Sequence, residues 1–91
     1  MERVGVVGCG LMGSGIAEIA AKAGADVIVI ERSPEALAAG VERIEKSLNR
    51  AVAAGKLPED DANAVRGHLS FSEDFAKLFD RQIVIEAVAE D

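Results

Sequence analysis

The sequence Gly-Cys-Gly-Leu-Met-Gly at positions 8 to 13 restricts the fold of this chain more than any other feature. The apolar run Arg3 to Val7 precedes it, and apolar residues at helical spacing follow it from Met12 to Ala23. Between a strand and a helix, the first glycine permits a tight turn, the second admits a pyrophosphate and the third packs the helix on the strand. We therefore predict that Gly8, Gly10 and Gly13 bind the pyrophosphate of a dinucleotide at a helix N-terminus. A glycine-rich turn without a ligand is the alternative.

The remaining segments alternate between strand and helix signals. Ser33-Pro34-Glu35 combines a cap hydroxyl, a first-turn proline and a first-turn acid, which indicates that a long helix begins there. Its apolar residues recur every three or four positions, and we expect this stripe to face the core. The stripe consists of Leu37, Val41, Ile44, Leu48 and Val52, and the pattern ends before Gly55. In chain order, the patterns predict strand 3–7, helix 12–23, strand 26–30, the long helix from Pro34, a helix from Pro58 to Arg66 that Gly67 stops, and strand 69–71. A short helix capped by Ser72-Glu73-Asp74 and running through Phe79 follows, and then strand 82–88.

Strands that alternate with helices indicate an α/β fold whose parallel strands are joined by right-handed crossovers. We predict the first half of a Rossmann-type parallel sheet, β1-α-β2-α-α-β3-α-β4, with the strand order 3-2-1-4 and one bare edge. The chain has 91 residues, which is too few for two separate cores. Residues 1–91 are therefore expected to be one incomplete dinucleotide-binding domain.

Glu31 follows the second strand directly and lies 18 residues after Gly13. An acid at this point accepts hydrogen bonds from the ribose hydroxyls of a dinucleotide. A 2′-phosphate would bring negative charge against the carboxylate, which favours NAD over NADP, although Arg32 can reduce that repulsion. An ordinary solvent-exposed acid at a strand end is the alternative.

Three cations share one face of the long helix. Arg43, Lys46 and Arg50 are spaced three and four residues apart, and Ser47 lies beside them. Such a face can meet a phosphate-rich ligand. The alternative is an ordinary solvated face on which Glu42 and Lys46 form an i,i+4 ion pair.

One cysteine and one histidine provide neither an internal disulfide nor a metal-ligand spacing. Cys9 has no base near it in the sequence, so we interpret it as a loop residue and not as a nucleophile. His68 lies between a helix stop and a short strand, without an orienting carboxylate, and we interpret it as a surface or hinge residue. The sequence therefore assigns no catalytic residue and no metal site.

Composition excludes several classes of protein. Ten basic residues against sixteen acidic ones give a net charge of -6, which is not the footprint of a nucleic-acid-binding protein. No apolar run approaches the ~20 residues of a membrane span, and the N-terminus has no cleavable signal pattern. We expect a cytoplasmic protein that has no nucleic-acid or membrane partner.

Four stretches resemble the NAD-dependent 3-hydroxyacyl-CoA dehydrogenases, in particular the bacterial 3-hydroxybutyryl-CoA dehydrogenases. They are VGVVGCGLMGSGIAEIAAKAG at positions 4–24, VIVIERS, RIEKSLNRAVAAGKL, and the closing IVIEAVAED. The resemblance runs along the whole chain. It implies a fold that binds NAD, within an enzyme of fatty-acid and butanoate metabolism that interconverts 3-hydroxyacyl-CoA and 3-oxoacyl-CoA by hydride transfer.

The same resemblance implies roles for particular positions. The implied cofactor-binding residues are Gly8, Gly10, Leu11, Met12, Gly13, Glu31, Arg32, Ala87 and Glu90. The implied residues for coenzyme A are Ser47 and Lys56, of which Lys56 stands in for a lysine that the family supplies near position 54.

The resemblance also implies residues that these 91 positions lack. The family has a catalytic histidine in a His-Phe-Asn-Pro-like context, helped by a glutamate and an asparagine. We expect these residues, and a helical domain that forms a homodimer, to follow Asp91, so that the chain alone is inactive. Two alternatives remain open. One is another hydroxy-acid dehydrogenase or the dehydrogenase part of a multifunctional fatty-acid oxidation protein, and the other is a non-catalytic dinucleotide-binding or structural relative.

Overall fold

The four strands of the computed structural model form one parallel sheet in the order β3-β2-β1-β4. The structure describes residues 2–8 and 10–87. The elements are β1 (Arg3–Val7), α1 (Leu11–Lys22), β2 (Asp26–Ile30), α2 (Pro34–Ala53), α3 (Glu59–His68), β3 (Leu69–Ser72), a 3₁₀ helix (Phe75–Leu78) and β4 (Ile83–Glu86). The central strand β1 pairs with β2 and with β4, and β2 pairs with β3. The predicted fold class and strand order are confirmed.

One face of the sheet packs against the three α-helices. Strand side chains alternate between the two faces, so every second residue of β1 and β2 points towards the helices. Together with residues of the helices and with Ala87, which follows β4, they form the buried cluster Val4, Val6, Ala17, Ala21, Val27, Val29, Ile44, Leu48, Val65 and Ala87. Burial of each Val, Ile or Leu side chain contributes about 1.5–3 kcal/mol to stability, which makes this cluster the main source of cohesion.

The opposite face of the sheet is covered in part by the 3₁₀ helix. Leu78 of that helix lies directly over Gly5 of β1, where an added Cβ would touch the Leu78 side chain. Ile28 and Ile30 of β2 are also buried on this face. On the edge strand β4, Ile83 and Val84 remain exposed. Strand β4 forms one edge of the described sheet, and β3 forms the other.

The helix ends follow their sequence signals. The Ser33 hydroxyl accepts a hydrogen bond of 3.1 Å from the Ala36 N–H and caps α2. After α1, Gly24 has a φ of +94°, and the N–H of Ala25 donates to the Ala20 carbonyl at 3.1 Å. These two features define a left-handed helix stop, which favours glycine.

Several element boundaries differ from the prediction by one or two residues. Helix α1 begins one residue earlier, at Leu11, and β4 ends at Glu86, while Val88 lies outside the described residues. Helix α3 continues through Gly67 to His68. It stops there because Leu69 pairs with Val27 of β2, so sheet pairing and not the glycine sets the end of α3.

The apolar stripe of α2 faces the core only in part. Ile44 and Leu48 are buried, but Val41 is exposed, which contradicts the expectation for that residue. The buried line of this helix runs through Gly40, Ile44 and Leu48 at i,i+4 spacing, and this turns Val41 away from the sheet. Within the described ranges, no helix is both long and apolar enough to span a membrane.

Candidate functional site

The loop between β1 and α1 lies where three strands end. The N–H of Gly8 donates to the Ile30 carbonyl of β2 at 2.9 Å, and the N–H of Ala87, just after β4, donates to the Val7 carbonyl at 2.8 Å. Gly8 has a φ of +90°, a backbone conformation that favours glycine. The carboxyl ends of β1, β2 and β4 are thereby joined at one point, which is where open α/β sheets bind their ligands.

Gly13 brings α1 into direct contact with the end of β1. A Cβ added to Gly13 would overlap the Gly8 carbonyl oxygen and would lie 3.3 Å from the Ala87 Cβ. Only a residue without a side chain allows the helix to approach so closely. The spacing of the motif therefore has a structural reason in this chain, independent of any ligand.

Gly10 has the opposite environment. A Cβ there would meet no protein atom within 4 Å, and the residue is exposed. Gly10 is the N-cap of α1, and no side-chain hydrogen bond caps the helix in the part of the chain that the structure describes. The first N–H groups of α1 can therefore donate to an external acceptor, as a pyrophosphate requires. These residues fit a dinucleotide.

Two large apolar side chains lie at the rim of this loop. Leu11 is 85% exposed and Met12 is 70% exposed. Helix α1 thus presents both its backbone N–H groups and two apolar side chains to whatever binds there. Exposure of this size at a helix start is typical of a surface that a ligand or another part of a protein covers.

Glu31 lies beside the same loop. It follows Ile30, whose carbonyl accepts from Gly8, and its own N–H donates to the Ser72 carbonyl of β3 at 3.1 Å. Glu31 is half-buried, whereas Arg32 is exposed. The structure therefore brings the predicted ribose acid to the glycine loop. Glu90 and Cys9 lie outside the described residues.

The cation face of α2 lines a cavity of about 270 Å³ between α1 and α2. Residues of both helices surround this space: Leu11, Ser14, Gly15, Glu18, Arg43, Lys46, Ser47 and Arg50. Lys56 is not among them and lies in the turn that follows α2. The structure thus brings Ser47 to the cation face and leaves Lys56 apart from it. The two residues named for coenzyme A do not share this cavity.

The cations of this α2 face differ in their partners. The Lys46 ammonium lies 3.0 Å from the Glu42 carboxylate, and both side chains are exposed. The hydrogen bond from Lys46, and then its charge, lower the pKa of the Glu42 carboxyl from its ordinary value. The ordinary i,i+4 ion pair that the sequence suggested is therefore present.

His68 lies at a different place. It ends α3 and lines a separate cavity, together with Asp61 and Lys22, next to the C-terminal part of α1. The glycine loop lies at the other end of α1. Within residues 2–8 and 10–87, no group of three His, Cys, Asp or Glu side chains can hold a metal ion.

Sequence reasoning missed two residues that shape this region. Glu18 of α1 lines the α1–α2 cavity and its side chain is only 13% exposed. It pairs with Lys22 at 3.0 Å, and the i,i+4 spacing of these two residues could have predicted this pair from the sequence. Arg66 of α3 donates from Nε to both Glu45 carboxylate oxygens at 2.9 and 3.0 Å. It also donates to Asn49 at 3.0 Å, which ties α3 to α2. No sequence spacing reveals a contact of this kind, since it depends on how the two helices pack.

The family pattern described as "3-hydroxyacyl-CoA dehydrogenase, NAD binding domain" matches residues 3–91. The chain belongs to this family. The match confirms the resemblance of the four sequence stretches and the expectation that the cofactor is NAD. It also agrees with the geometry of the glycine loop.

Relatives of known structure have the same architecture. A 3-hydroxybutyryl-CoA dehydrogenase of Mycobacterium tuberculosis is 54% identical over 91 residues, all of this chain and 32% of the relative. The crystal structure of FadB2 from M. tuberculosis has a TM-score of 0.96 at 54% identity, over 100% of this chain and 32% of that one. The crystal structure of (S)-3-hydroxybutyryl-CoA dehydrogenase from Ralstonia eutropha has a TM-score of 0.93 at 35% identity, over 100% of this chain and 32% of that one. The chain thus spans about a third of the length of these relatives.

Proposed function

We propose that this NAD-binding domain serves an enzyme that interconverts 3-hydroxyacyl-CoA and 3-oxoacyl-CoA, with 3-hydroxybutyryl-CoA as the substrate to test first. The names of the relatives that match the full chain support this substrate class. The nicotinamide carries the hydride when NAD is bound. A histidine base and a homodimer, both implied by the resemblance, remain predictions. So do the cytoplasmic location and the absence of nucleic-acid and membrane partners.

One observation carries the proposal at the level of geometry. The ends of β1, β2 and β4 meet at a loop whose Gly13 must be a glycine because the Gly8 carbonyl occupies the space of its Cβ. This close contact directs the start of α1 at the crevice where the strands end. A pyrophosphate in that crevice would accept hydrogen bonds from the first N–H groups of the helix.

We assign the dinucleotide contacts to the residues around this crevice. Helix α1 offers backbone N–H groups from its first turn, and Glu31 offers a carboxylate to the ribose hydroxyls, with Arg32 beside it. Ala87 lies beside the loop, since its N–H donates to the Val7 carbonyl at 2.8 Å, and Glu90 is proposed from the sequence resemblance alone. The residues proposed for NAD are therefore Gly8, Gly10, Leu11, Met12, Gly13, Glu31, Arg32, Ala87 and Glu90.

We assign the coenzyme A moiety to the face of α2 that carries Ser47, Arg43, Lys46 and Arg50. This face lines a cavity next to the first turns of α1, so a thioester bound there lies close to the cofactor crevice. Lys56 is a weaker assignment because it does not line that cavity.

Calorimetric titration of the chain with NAD and NADP tests the cofactor proposal. We expect tighter binding of NAD, and we expect Glu31→Ala to weaken NAD binding by about 1.5–3 kcal/mol, the usual contribution of hydrogen bonds to a charged acceptor. Glu35→Ala is the matched control, since Glu35 is an exposed acid in the first turn of α2. Equal NAD affinities for the wild type and Glu31→Ala would show that Glu31 is an ordinary surface acid.

A further inference from the structure

A further cavity lies on the face of the sheet opposite the α-helices. Its volume of about 410 Å³ is typical of pockets that hold small molecules. The floor is the adjacent pair of Ile28 in β2 and Ser70 in β3, and the other walls come from the 3₁₀ helix and the turn before β4. The described residues that line it include none of those assigned above to NAD or to coenzyme A.

Two cations line this cavity. Lys77 of the 3₁₀ helix is exposed and makes no ion pair within residues 2–8 and 10–87. The Arg81 side chain is only 10% exposed, and its Nη1 donates to the Asp26 carbonyl oxygen at 3.0 Å. This hydrogen bond holds the guanidinium in one position at the wall of the cavity. The cavity therefore has one fixed cation and one whose charge no described acid neutralises.

The hydrogen bonds of Arg81 are incomplete. Its Nε is buried and has no hydrogen-bond partner in the part of the chain that the structure describes. Asp80 Oδ1 lies 3.5 Å from this Nε without forming a hydrogen bond. The Asp80 side chain is 61% exposed and its contact with Arg3 is 3.9 Å long, so Asp80 is weakly held. A buried donor without an acceptor is rare in native proteins, and an oxygen of a bound anion is an acceptor that would satisfy it.

Phe79 gives the cavity an apolar rim. Its side chain is 89% exposed, which is unusual for phenylalanine, and Ile28 on the floor is also apolar. The Ser70 hydroxyl donates to the Val27 carbonyl at 3.4 Å, a long contact that leaves the hydroxyl able to turn to another acceptor. The cavity thus offers two cations and a hydroxyl to a charged group, and an aromatic ring and an aliphatic floor to an apolar one.

We propose that this cavity binds a small carboxylate with an aromatic or aliphatic body. The carboxylate group lies against Arg81 and Lys77, because a guanidinium and an ammonium donate charge-assisted hydrogen bonds to such an oxyanion. The apolar body packs against Phe79 and Ile28. Asp80 competes with the ligand for Arg81 and turns away when the ligand binds. This site is separate from the cofactor crevice and does not depend on the proposed acyl-CoA substrate.

Nuclear magnetic resonance titration of the isotope-labelled chain with benzoate tests the proposal. NAD is present throughout, so that benzoate does not occupy the first turn of α1. We expect saturable shifts of the backbone amide signals of Ser70 and of residues 76–81. Benzamide, which has the same ring without the charge, should bind more weakly than benzoate.

Two variants of exposed residues should change the benzoate affinity in opposite directions. We expect Lys77→Gln to weaken benzoate binding about two- to fivefold, because one solvent-exposed charge contact is lost. Asp80→Asn should strengthen binding by a similar factor, because the carboxylate that competes for Arg81 is removed. Lys22→Gln is the control: it changes the net charge as Lys77→Gln does, but Lys22 is an exposed lysine of α1 on the other face of the sheet.

Several results would overturn the inference. They are the absence of saturable benzoate binding, signal shifts confined to the first turn of α1, and benzamide binding as tight as that of benzoate. A loss of affinity in Lys77→Gln that Lys22→Gln matches is an effect of net charge and also overturns it. Weaker benzoate binding by Asp80→Asn excludes the proposed competition for Arg81. None of these results bears on NAD binding, which calorimetry measures separately.

Discussion

Individual glycines of α1 occupy very different environments although they are close in sequence. Gly13 lies against the Gly8 carbonyl, whereas an added Cβ at Gly15 would meet nothing within 4 Å. The motif alone assigns a packing role to the third glycine, and the structure shows the atoms that enforce it. Small residues that look alike in the sequence therefore differ in whether they can be replaced.

We expect Gly13→Ala to destabilise the fold by about 1–3 kcal/mol. The new methyl group would overlap the Gly8 backbone, so α1 must move away from the end of β1, as in other overpacked interiors. Urea denaturation followed by circular dichroism measures the change in the free energy of unfolding.

Gly15→Ala is the matched control for this prediction. Alanine favours a helix interior over glycine by up to about 1 kcal/mol, so the control should be neutral or stabilising. If both variants unfold at the same urea concentration, the contact between Gly13 and Gly8 does not restrict the packing of α1.

At the scale of elements, the α2–α3 hairpin is held together by Arg66. Its Nε group contacts both oxygens of Glu45, and its other nitrogens donate to Asn49 and Asn63. Arg66 is 29% exposed, so solvent screens this group less than an ordinary surface pair. The exposed pair of Lys46 and Glu42 on the same helix offers a direct comparison.

We expect Arg66→Ala to lower the free energy of unfolding by about 1–2 kcal/mol, because a charged Nε–H contact shared by both Glu45 oxygens and two amide hydrogen bonds are lost. Lys46→Ala should lower it much less, because only an exposed i,i+4 pair is lost. Thermal or urea unfolding of both variants at the same ionic strength compares them. A loss for Arg66→Ala no larger than that for Lys46→Ala would mean that the hairpin is held by apolar packing alone.

At the scale of the whole molecule, the order of the strands decides which groups meet. Pairing of β1 with both β2 and β4 brings Gly8, Glu31 and Ala87 to one edge of the sheet, although they are far apart in the sequence. The single histidine is carried by α3 to another cavity. The cofactor crevice of the described residues therefore contains no histidine.

We expect the 91-residue chain to bind NADH without oxidising it in the presence of acetoacetyl-CoA. Catalysis needs an acid or base within hydrogen-bond reach of the substrate oxygen, and His68 lies away from the glycine loop. Absorbance of NADH at fixed chain concentration measures turnover, and fluorescence of bound NADH confirms that the cofactor site is filled. Turnover that His68→Ala abolishes would place His68 in the active site.

The sequence by itself determined the element order, the parallel sheet and the glycine loop. These features depend on local chemistry, namely the periodicity of apolar residues, the cap at Ser33 and the backbone freedom of glycine. The placement of Glu31 beside the loop could also be predicted, since it depends only on β1 and β2 being neighbours. Local signals of this kind therefore define most of the cofactor site.

Only the tertiary structure decided which side chains share a space. The burial of Gly40 in place of Val41, the contact of Arg66 with Glu45 and the separation of Lys56 from Ser47 all depend on how α2 lies on α1 and α3. The relative rotation of packed helices is set by the summed fit of many side chains, and no single spacing in the sequence encodes it. The cavity that Arg43, Lys46 and Arg50 share with residues of α1 was fixed in the same way.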